Sequence, residues 1–299
     1  MKIRLMIKHL VLSGGGPTGL TTYGVLKKLN QKGLWNMKNI KTIYGTSVGS
    51  LIGIILTLKL EWKYIDNYFI KEEWDKILNF NSTNILELYS EKGLLDESFI
   101  INILEPLMKK KNISSDITLS EYYKLTNVDL HLFTVDINHD NMKLIDLSHK
   151  TFPNLSILKA VSMSSAIPLI FKPIFHDSGC YLDGGLLNNC PVRNCLCDNG
   201  CKDNEILLIE KDIKYNKFSN EIKDGSTILE FIHILLRKIH NEIHDNIDKK
   251  LPYHITIDKE IINTDNIFDI YKIIEDQNIR ISLINLGEQI AEDFISNLQ

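Results

Sequence analysis

Two glycine-rich turns, each placed directly after a predicted strand, limit what this chain can fold into. The first turn, Gly14–Gly19, follows the apolar run His9–Leu12. The second turn, Gly45–Gly49, follows a strand-forming run that ends at Tyr44. A strand, a turn and a helix, occurring repeatedly, are typical of an α/β fold with a mostly parallel central sheet and helices on both faces. Ligands bind such sheets beyond the carboxyl ends of the strands, where both turns fall.

The second turn has the G-x-S-x-G pattern of a nucleophile elbow. In that turn a serine occupies a strained position between a strand and a helix, and only glycine fits two residues to either side of it. Gly45 and Gly49 hold these two positions around Ser47. We therefore predict that Ser47 is the nucleophile of a serine hydrolase.

The first turn offers a row of backbone N–H groups. Gly14, Gly15 and Gly16 can direct these donors at the oxyanion that forms when a serine attacks a carbonyl carbon, and Gly19 completes the motif. The spacing also matches nucleotide-binding loops, but Leu20 replaces the lysine of a phosphate loop, and no acidic residue ends the second strand to bind a ribose. We therefore favour an oxyanion hole over a nucleotide site.

A third motif lies far along the chain, where Asp183 is followed by Gly184 and Gly185. Asp-Gly is a common turn pair, so this motif alone has little meaning. The three motifs in this order, however, resemble those of the patatin-like phospholipases. The resemblance covers roughly residues 8–212, and its connecting segments are Lys92–Asp96, Thr118–Tyr122, Ala160–Pro168 and Asn188–Val192.

This resemblance implies a lipid acyl hydrolase of the phospholipase A or lysophospholipase type. A Ser47–Asp183 dyad without histidine would cleave fatty-acyl esters through an acyl-serine intermediate, with Asp183 as the general base and with no cofactor. The substrate would be a membrane phospholipid or another acyl lipid, reached by peripheral contact with the membrane. The acidic limb of the rate–pH profile should then report a carboxylate rather than a histidine, whose ordinary pKa is ~6.5.

One residue departs from the family pattern. The oxyanion turn of the family usually carries arginine or lysine at the position of Thr18. Backbone donors do not depend on that side chain, so the predicted oxyanion role of the turn stands. The missing cation leaves the preference for phospholipid over neutral glyceride open, together with the head group and the acyl position.

Composition and charge bound the remaining possibilities. The chain has 299 residues, of which 44% are hydrophobic, so it can form a sizeable core in one large domain or two small ones. The net charge of −4 argues against a nucleic-acid partner, because phosphate binding needs a concentrated positive field. Lys2, Arg4 and Lys8 interrupt the apolar residues at the start of the chain, so no secretory signal is visible. We expect a soluble, cytoplasmic protein without a transmembrane segment and with peripheral membrane association; the sequence does not indicate an oligomeric state.

Hydrophobic periodicity divides the chain into two parts. We predict a catalytic core over residues 8–212 and a mostly helical C-terminal extension over residues 213–299, packed on the core. The predicted helices of the core are Pro17–Lys32, Val48–Lys59 and Glu97–Lys111, the last with Asp96 as its N-cap and a kink at Pro106. The predicted strands are Ile7–Ser13, Lys41–Tyr44, Leu130–Ile137, Met142–Leu147, Glu205–Glu210 and His254–Ile257.

The cysteines are concentrated in one short window. Cys195, Cys197 and Cys201 are spaced C-x-C-x3-C, which differs from the paired C-x2-C spacing of most zinc sites. Disulfides are rare in intracellular proteins. With Cys180 and Cys190, we therefore expect free thiols and no metal site.

Two other function classes remain as alternatives. A small-ester α/β-hydrolase would need a histidine after Asp183, and the candidates are His233, His240, His244 and His254. The spacing of His240 and His244 also suits a zinc site, but the glutamate of the H-E-x-x-H pattern is missing. A catalytically weak lipid-binding or regulatory protein on the same fold is the second alternative.

Overall fold

A computed structural model describes residues 6–74, 90–198, 200–212, 221–243, 251–258 and 272–298. Its strands are β1 (His9–Leu12), β2 (Thr42–Thr46), β3 (Gly93–Leu95), β4 (Asp129–Asp136), β5 (Lys143–Leu147), β6 (Leu169–Phe171), β7 (Ile174–His176), β8 (Gly179–Asp183), β9 (Ile206–Lys211) and β10 (His254–Ile257). Its α-helices are α1 (Gly19–Gln31), α2 (Val48–Thr57), α3 (Trp62–Lys71), α4 (Ser98–Lys110), α5 (Leu119–Thr126), α6 (Ile157–Ser164), α7 (Val192–Cys197), α8 (Ile228–Ile243) and α9 (Gln277–Leu298).

Eight of these strands form one central sheet, in the order β10-β9-β1-β2-β4-β8-β7, with β5 also paired to β4. The five strands from β10 to β4 are mutually parallel. Strands β5 and β8 pair antiparallel with β4, and β7 pairs antiparallel with β8. The predicted α/β fold with a mostly parallel sheet is thus confirmed.

Both faces of the sheet are covered, because successive residues of a strand point to opposite faces. Leu10 and Leu12 of β1 belong to the large hydrophobic core that also contains residues of α1, α2, α4 and α6. Val11 between them belongs to a smaller cluster with Val192 and Cys195 of α7. The central strands are therefore buried on both sides, as expected for parallel strands.

The described part of the C-terminal region packs against the rest of the chain. Strand β10 extends the sheet beyond β9, and α9 lies along α1. Gly24 and Gly287 permit the close approach of the two helices, because a Cβ atom on either residue would collide with backbone of the other helix. Lys27 also forms ion pairs with Asp66 at 2.8 Å and with Glu288 at 2.8 Å.

The structure adjusts several predicted boundaries. Helix α4 begins at Ser98, whose N–H donates to the Asp96 carboxylate at 2.9 Å, and the helix continues across Pro106. The sequence prediction missed β8, which carries Asp183 at its end, and it missed the helices α3, α5 and α6. Among the described helices, none is both long enough and apolar enough to cross a bilayer.

Candidate active site

The register of three neighbouring strands brings Ser47 and Asp183 to the same place. Thr46, the last residue of β2, pairs with Phe133 of β4. The next residue of β4, Thr134, pairs with Asp183 at the end of β8. The residue that follows β2 and the last residue of β8 therefore meet at the carboxyl end of the parallel strands, where the sequence predicts the site.

Ser47 has the backbone conformation of a strained strand-to-helix turn. Its φ is 55° and its ψ is −127°, a combination that non-glycine residues rarely adopt. Gly49 must lack a side chain because a Cβ atom there would collide with the carbonyl oxygen of Leu12, and a Cβ atom on Gly45 would lie 2.7 Å from the Ser50 nitrogen. The turn therefore packs closely against β1, and Ser47 lies directly before the first residue of α2.

Ser164, which ends α6, fixes this turn from below. Its Oγ accepts the N–H of Ser47 at 3.0 Å, lies 2.8 Å from the Ser50 hydroxyl and donates to the Phe133 carbonyl at 2.6 Å. Ser164 lies in one of the segments that resemble the family, but the sequence alone predicts no role for it. A serine-rich run gives no local indication of which hydroxyl supports a distant turn.

Asp183 is buried, and no described cation is among the groups that shift its pKa. Its Oδ1 accepts the N–H of Gly185 at 2.7 Å, and Oδ2 makes no well-aligned hydrogen bond to a described residue. Burial raises the pKa of Asp183 to about 6, although the nearby Ser47 hydroxyl and the Gly185 N–H act in the opposite direction. A carboxyl with this pKa is a better proton acceptor than an ordinary aspartate, whose pKa is ~3.9.

The first glycine turn lies beside Ser47. A Cβ atom on Gly14 would lie 3.2 Å from the Ser47 Cβ, and one on Gly19 would collide with Val48. The N–H of Gly14 donates to the Asn189 carbonyl at 2.9 Å, so this amide is already used. Within the described residues, the amides of Gly15 and Gly16 have no hydrogen-bond acceptor.

The loop after β8 holds both glycine turns in place. The Asn188 carbonyl accepts the Thr46 hydroxyl at 2.9 Å, beside Ser47. The Asn189 side-chain amide donates to the Gly14 carbonyl at 3.3 Å, in addition to the bond from the Gly14 N–H. Gly184 permits this arrangement because a Cβ atom there would collide with the Phe133 carbonyl. We call residues 188 and 189 the clamp loop.

Thr18 has a structural role in the first turn. Its hydroxyl donates to the Gly15 carbonyl at 2.9 Å, and the residue is buried. A basic side chain comes near the turn from another element, since the stem of Lys211 at the end of β9 packs against Gly15. Lys211 therefore lies at the same end of the sheet as Thr18.

An apolar cavity of about 210 Å³ opens beside Ser47. Its walls come from α1, α2, α3, α4, the segment after α6 and the residues before and at the start of α9, and the lining is almost wholly aliphatic and aromatic. Side chains that line it include Leu20, Leu51, Phe69, Trp74, Phe99, Ile103, Ile170 and Phe171. A cavity with this lining suits a hydrocarbon chain.

Among the described residues that line the cavity, none is a histidine. His254 lies on β10 and contacts Glu210 at 2.9 Å. His244 lies outside the described residues, as do the side chains of His233 and His240. The alternative catalytic and zinc-binding roles considered for those three histidines therefore stay predictions.

Comparison with known proteins places this arrangement in a family. Residues 10–196 match the family model described as patatin-like phospholipase. The chain belongs to the patatin-like phospholipase family. This match includes both glycine turns, the second of which is the elbow at Ser47, and the Asp183 motif.

Relatives of this patatin-like chain include lipid hydrolases. The probable lipid hydrolase 463L of Invertebrate iridescent virus 6 is 32% identical over 187 residues, which cover 62% of each chain. The triacylglycerol lipase ptl3 of Schizosaccharomyces pombe is 27% identical over 177 residues, covering 54% of this chain and 33% of that protein. The chain thus spans less than two thirds of the length of these relatives.

The same fold is found among solved structures. VipD from Legionella pneumophila is 18% identical, with a TM-score of 0.52 over 98% of this chain and 67% of that one. The ExoU–SpcU complex of Pseudomonas aeruginosa contains a chain that is 16% identical, with a TM-score of 0.52 over 99% of this chain and 52% of that one. These similarities concern the fold.

Proposed function

We propose that this patatin-like chain is a serine carboxylic-ester hydrolase that removes fatty-acyl groups from lipids, as a phospholipase A or lysophospholipase. One observation carries the proposal: a serine on a strained elbow lines an apolar cavity and lies beside a buried aspartate, for which no cation is among the described groups that shift its pKa. The first part of this combination is typical of an activated nucleophile, and the cavity indicates an acyl chain as the substrate group.

In the first half-reaction, the Ser47 oxygen attacks the carbonyl carbon of the ester while Asp183 accepts the hydroxyl proton. The tetrahedral intermediate collapses, the alcohol part of the lipid leaves with that proton, and the acyl group remains on Ser47. Proximity and burial make the transfer feasible, because the Asp183 pKa of about 6 lies nearer neutrality than that of an ordinary carboxyl.

In the second half-reaction, water attacks the acyl-Ser47 carbonyl and gives a proton to Asp183. The fatty acid leaves, and the proton returns to the Ser47 oxygen. Asp183 thus acts as base and then as acid in each half-reaction, and no histidine is required.

The oxyanion of both tetrahedral intermediates would accept hydrogen bonds from the Gly15 and Gly16 amides. Each such donor contributes about 3 kcal/mol to transition-state stabilisation. The Gly14 amide, also predicted as a donor, holds the turn through Asn189 instead, so we assign it a supporting role. The amino end of α2 adds a partial positive charge near Ser47.

The apolar cavity favours lipids with long acyl chains over small esters as substrates. Burial of a hydrocarbon chain in it releases about 0.8 kcal/mol for each methylene group, so binding should improve with acyl length until the cavity is filled. Such substrates reside in membranes or micelles, and we therefore propose peripheral association with a lipid surface. The relatives named as lipid hydrolase and lipase support this substrate class.

The test is release of fatty acid from vesicles of mixed-chain phosphatidylcholine by the wild type and by Ser47→Ala. Ser282→Ala, on the exposed face of α9, is a matched control. We expect release by the wild type and the control, and none by Ser47→Ala. Release by Ser47→Ala would exclude Ser47 as the nucleophile. Vesicle binding without release by any protein would favour the lipid-binding alternative, and activity confined to monomeric esters would favour the small-ester alternative.

A further inference from the structure

Three side chains of types that can ligate a metal lie together at the opposite end of the sheet from Ser47. They are His9 at the start of β1, Cys195 on α7 and Cys201 in the segment that follows α7. The ligand atoms of these three residues all lie within 4.8 Å of one another. We propose that the cluster, which we call the Cys2His site, binds one zinc ion.

The donor set and its spacing fit zinc. Thiolates and imidazoles bind zinc in preference to harder cations such as Mg²⁺ and Ca²⁺. Zinc–sulfur and zinc–nitrogen bonds of ~2.3 and ~2.05 Å at a tetrahedral angle separate the two donors by about 3.6 Å. His9 Nδ1 and Cys201 Sγ are 3.5 Å apart in the structure.

The surroundings hold the ligands in place. His9 and Cys195 are buried, with 5% and 0% exposure, and Cys201 is partly exposed, which leaves a path for the ion to enter. The Thr42 hydroxyl lies 2.7 Å from His9 Nδ1, so zinc bound at this nitrogen would replace that hydrogen bond. The fourth tetrahedral position is left for water.

A negative charge beside the cluster also favours a cation. Asp198 lies between the two cysteines in the chain, and its carboxylate accepts a hydrogen bond from the Tyr44 hydroxyl. Its charge acts on His9, Cys195 and Cys201 alike. Zinc binding would displace one proton from each thiol, so two protons leave for each ion bound.

Three protein ligands and a water molecule are more typical of catalytic zinc, but the position of the Cys2His site argues for a structural role. His9 precedes Ser13 by four residues of extended chain, or about 13 Å at ~3.3 Å per residue, so the ion could not reach the ester. The site would instead tie α7 and the following segment to β1. Asn194 on α7 accepts the side-chain amide of Asn188 at 2.8 Å, which connects the same helix to the clamp loop.

Sequence spacing led to the opposite expectation for a physical reason. The cysteines alone are spaced C-x-C-x3-C, and the middle one, Cys197, is exposed and outside the cluster. The third ligand, His9, comes from the other end of the family domain and meets the cysteines because β1 and β9 pair in parallel. A ligand supplied across a sheet leaves no local motif.

The experiment uses the full chain, stripped with a chelator under reducing conditions and titrated with Co²⁺ and Zn²⁺. Cys201→Ser and His9→Gln remove ligands, and Cys197→Ser is a control two residues from Cys195. We expect one Co²⁺ per chain, with sulfur-to-cobalt charge transfer and tetrahedral d–d bands, in the wild type and Cys197→Ser. Each ligand variant should bind at least tenfold more weakly. Zinc should raise the melting temperature of the wild type and Cys197→Ser by more than that of either ligand variant.

Three outcomes would overturn the proposal. The wild type binds no metal under these conditions; Cys197→Ser weakens binding as much as Cys201→Ser does; or intact mass shows that Cys195 and Cys201 form a disulfide that persists with the reductant. The melting measurement is repeated in Ser47→Ala, so that its result does not depend on the proposed enzymatic activity. Circular dichroism of the ligand variants separates loss of binding from loss of fold.

Discussion

The two ends of the parallel strands hold buried aspartates in opposite electrostatic settings. At the amino end, Asp129 contacts Lys150 at 2.7 Å and His149 at 2.9 Å, and lies 3.6 Å from His131. At the carboxyl end, Asp183 has the Gly185 N–H and the nearby Ser47 hydroxyl, but no cation among the groups that shift its pKa.

The consequences for protonation are also opposite. Burial alone would raise the pKa of Asp129, but hydrogen bonds from His131 and Lys150 lower it well below its ordinary value. Burial likewise opposes charge on His131, yet Asp129 and Asp146 raise its pKa to about 9. At Asp183 no cation offsets burial, and the pKa rises to about 6. Both aspartates are buried, and among the described residues only Asp129 is paired with cations, which distinguishes it from Asp183, the proposed base.

The largest effect should come from neutralising each aspartate in turn. We expect Asp183→Asn to lower kcat/KM about 10³-fold, because a general base contributes about 10²–10⁴-fold, with an unchanged or higher melting temperature. Asp129→Asn should lower the free energy of unfolding by about 3 kcal/mol, because it leaves buried His131 poorly compensated, with activity of the remaining folded protein nearly unchanged. Vesicle assays and urea unfolding of both variants measure the two effects. Equal loss of activity in both would refute the distinction between the two ends.

The pH dependence sharpens the same comparison. Asp183 must be ionised to accept a proton, so kcat/KM should rise about tenfold per pH unit up to about pH 6 and then level. The same raised pKa gives stability that is fully present below pH ~4 and is lost as pH rises to about 6, about 3 kcal/mol in all. For His131, the stability is present below pH ~6.5 and is lost as pH rises through about 9.

These limbs are measured by assays and urea unfolding of the wild type, Asp183→Asn and His131→Gln. From the sequence, we expected the position of the acidic limb to distinguish a carboxylate from a histidine. A catalytic limb near pH 6 falls close to the ordinary pKa of histidine, so its position alone does not make this distinction. Its temperature dependence does, because carboxylate ionisation has a small enthalpy and the limb should hardly move on warming. A limb that moves to lower pH on warming would indicate a histidine.

The sequence predicts most strands of the central sheet and the position of the glycine turns, but not the environments of the two aspartates. Regular apolar patterns predicted β1, β2, β4, β5, β9 and β10, and the glycine motifs indicated where the turns lie. Strand β8 was missed because Gly179–Asp183 has little alternation between apolar and polar residues. The tertiary environment of a carboxylate depends on residues that other strands supply, so neither the raised pKa of Asp183 nor the pairing of Asp129 could be read from the chain.

A smaller effect concerns the support of the elbow. Ser164→Ala should lower kcat about 10-fold and the free energy of unfolding by about 1–3 kcal/mol, because the Ser47 N–H, the Ser50 hydroxyl and the Phe133 carbonyl each lose a partner. Ser162→Ala is the matched control, since this buried hydroxyl of the same helix bonds only to the Leu158 carbonyl among the described contacts. Kinetics and unfolding of both variants are compared. If kcat is equal in the two variants, Ser164 has no positioning role.

The smallest effect should come from the cation near the oxyanion turn. Lys211→Met keeps the apolar stem that packs against Gly15 and removes the charge. A partly exposed charge of this kind contributes up to about 1 kcal/mol, so we expect kcat/KM for an anionic phospholipid to fall a few-fold, with little change for a neutral glyceride. Assays with both lipids test this, and Lys202→Met, which lies before the other end of β9, controls for net charge. An equal fall for both lipids would mean that Lys211 acts by packing on the turn, and that the position of Thr18 has no substitute cation.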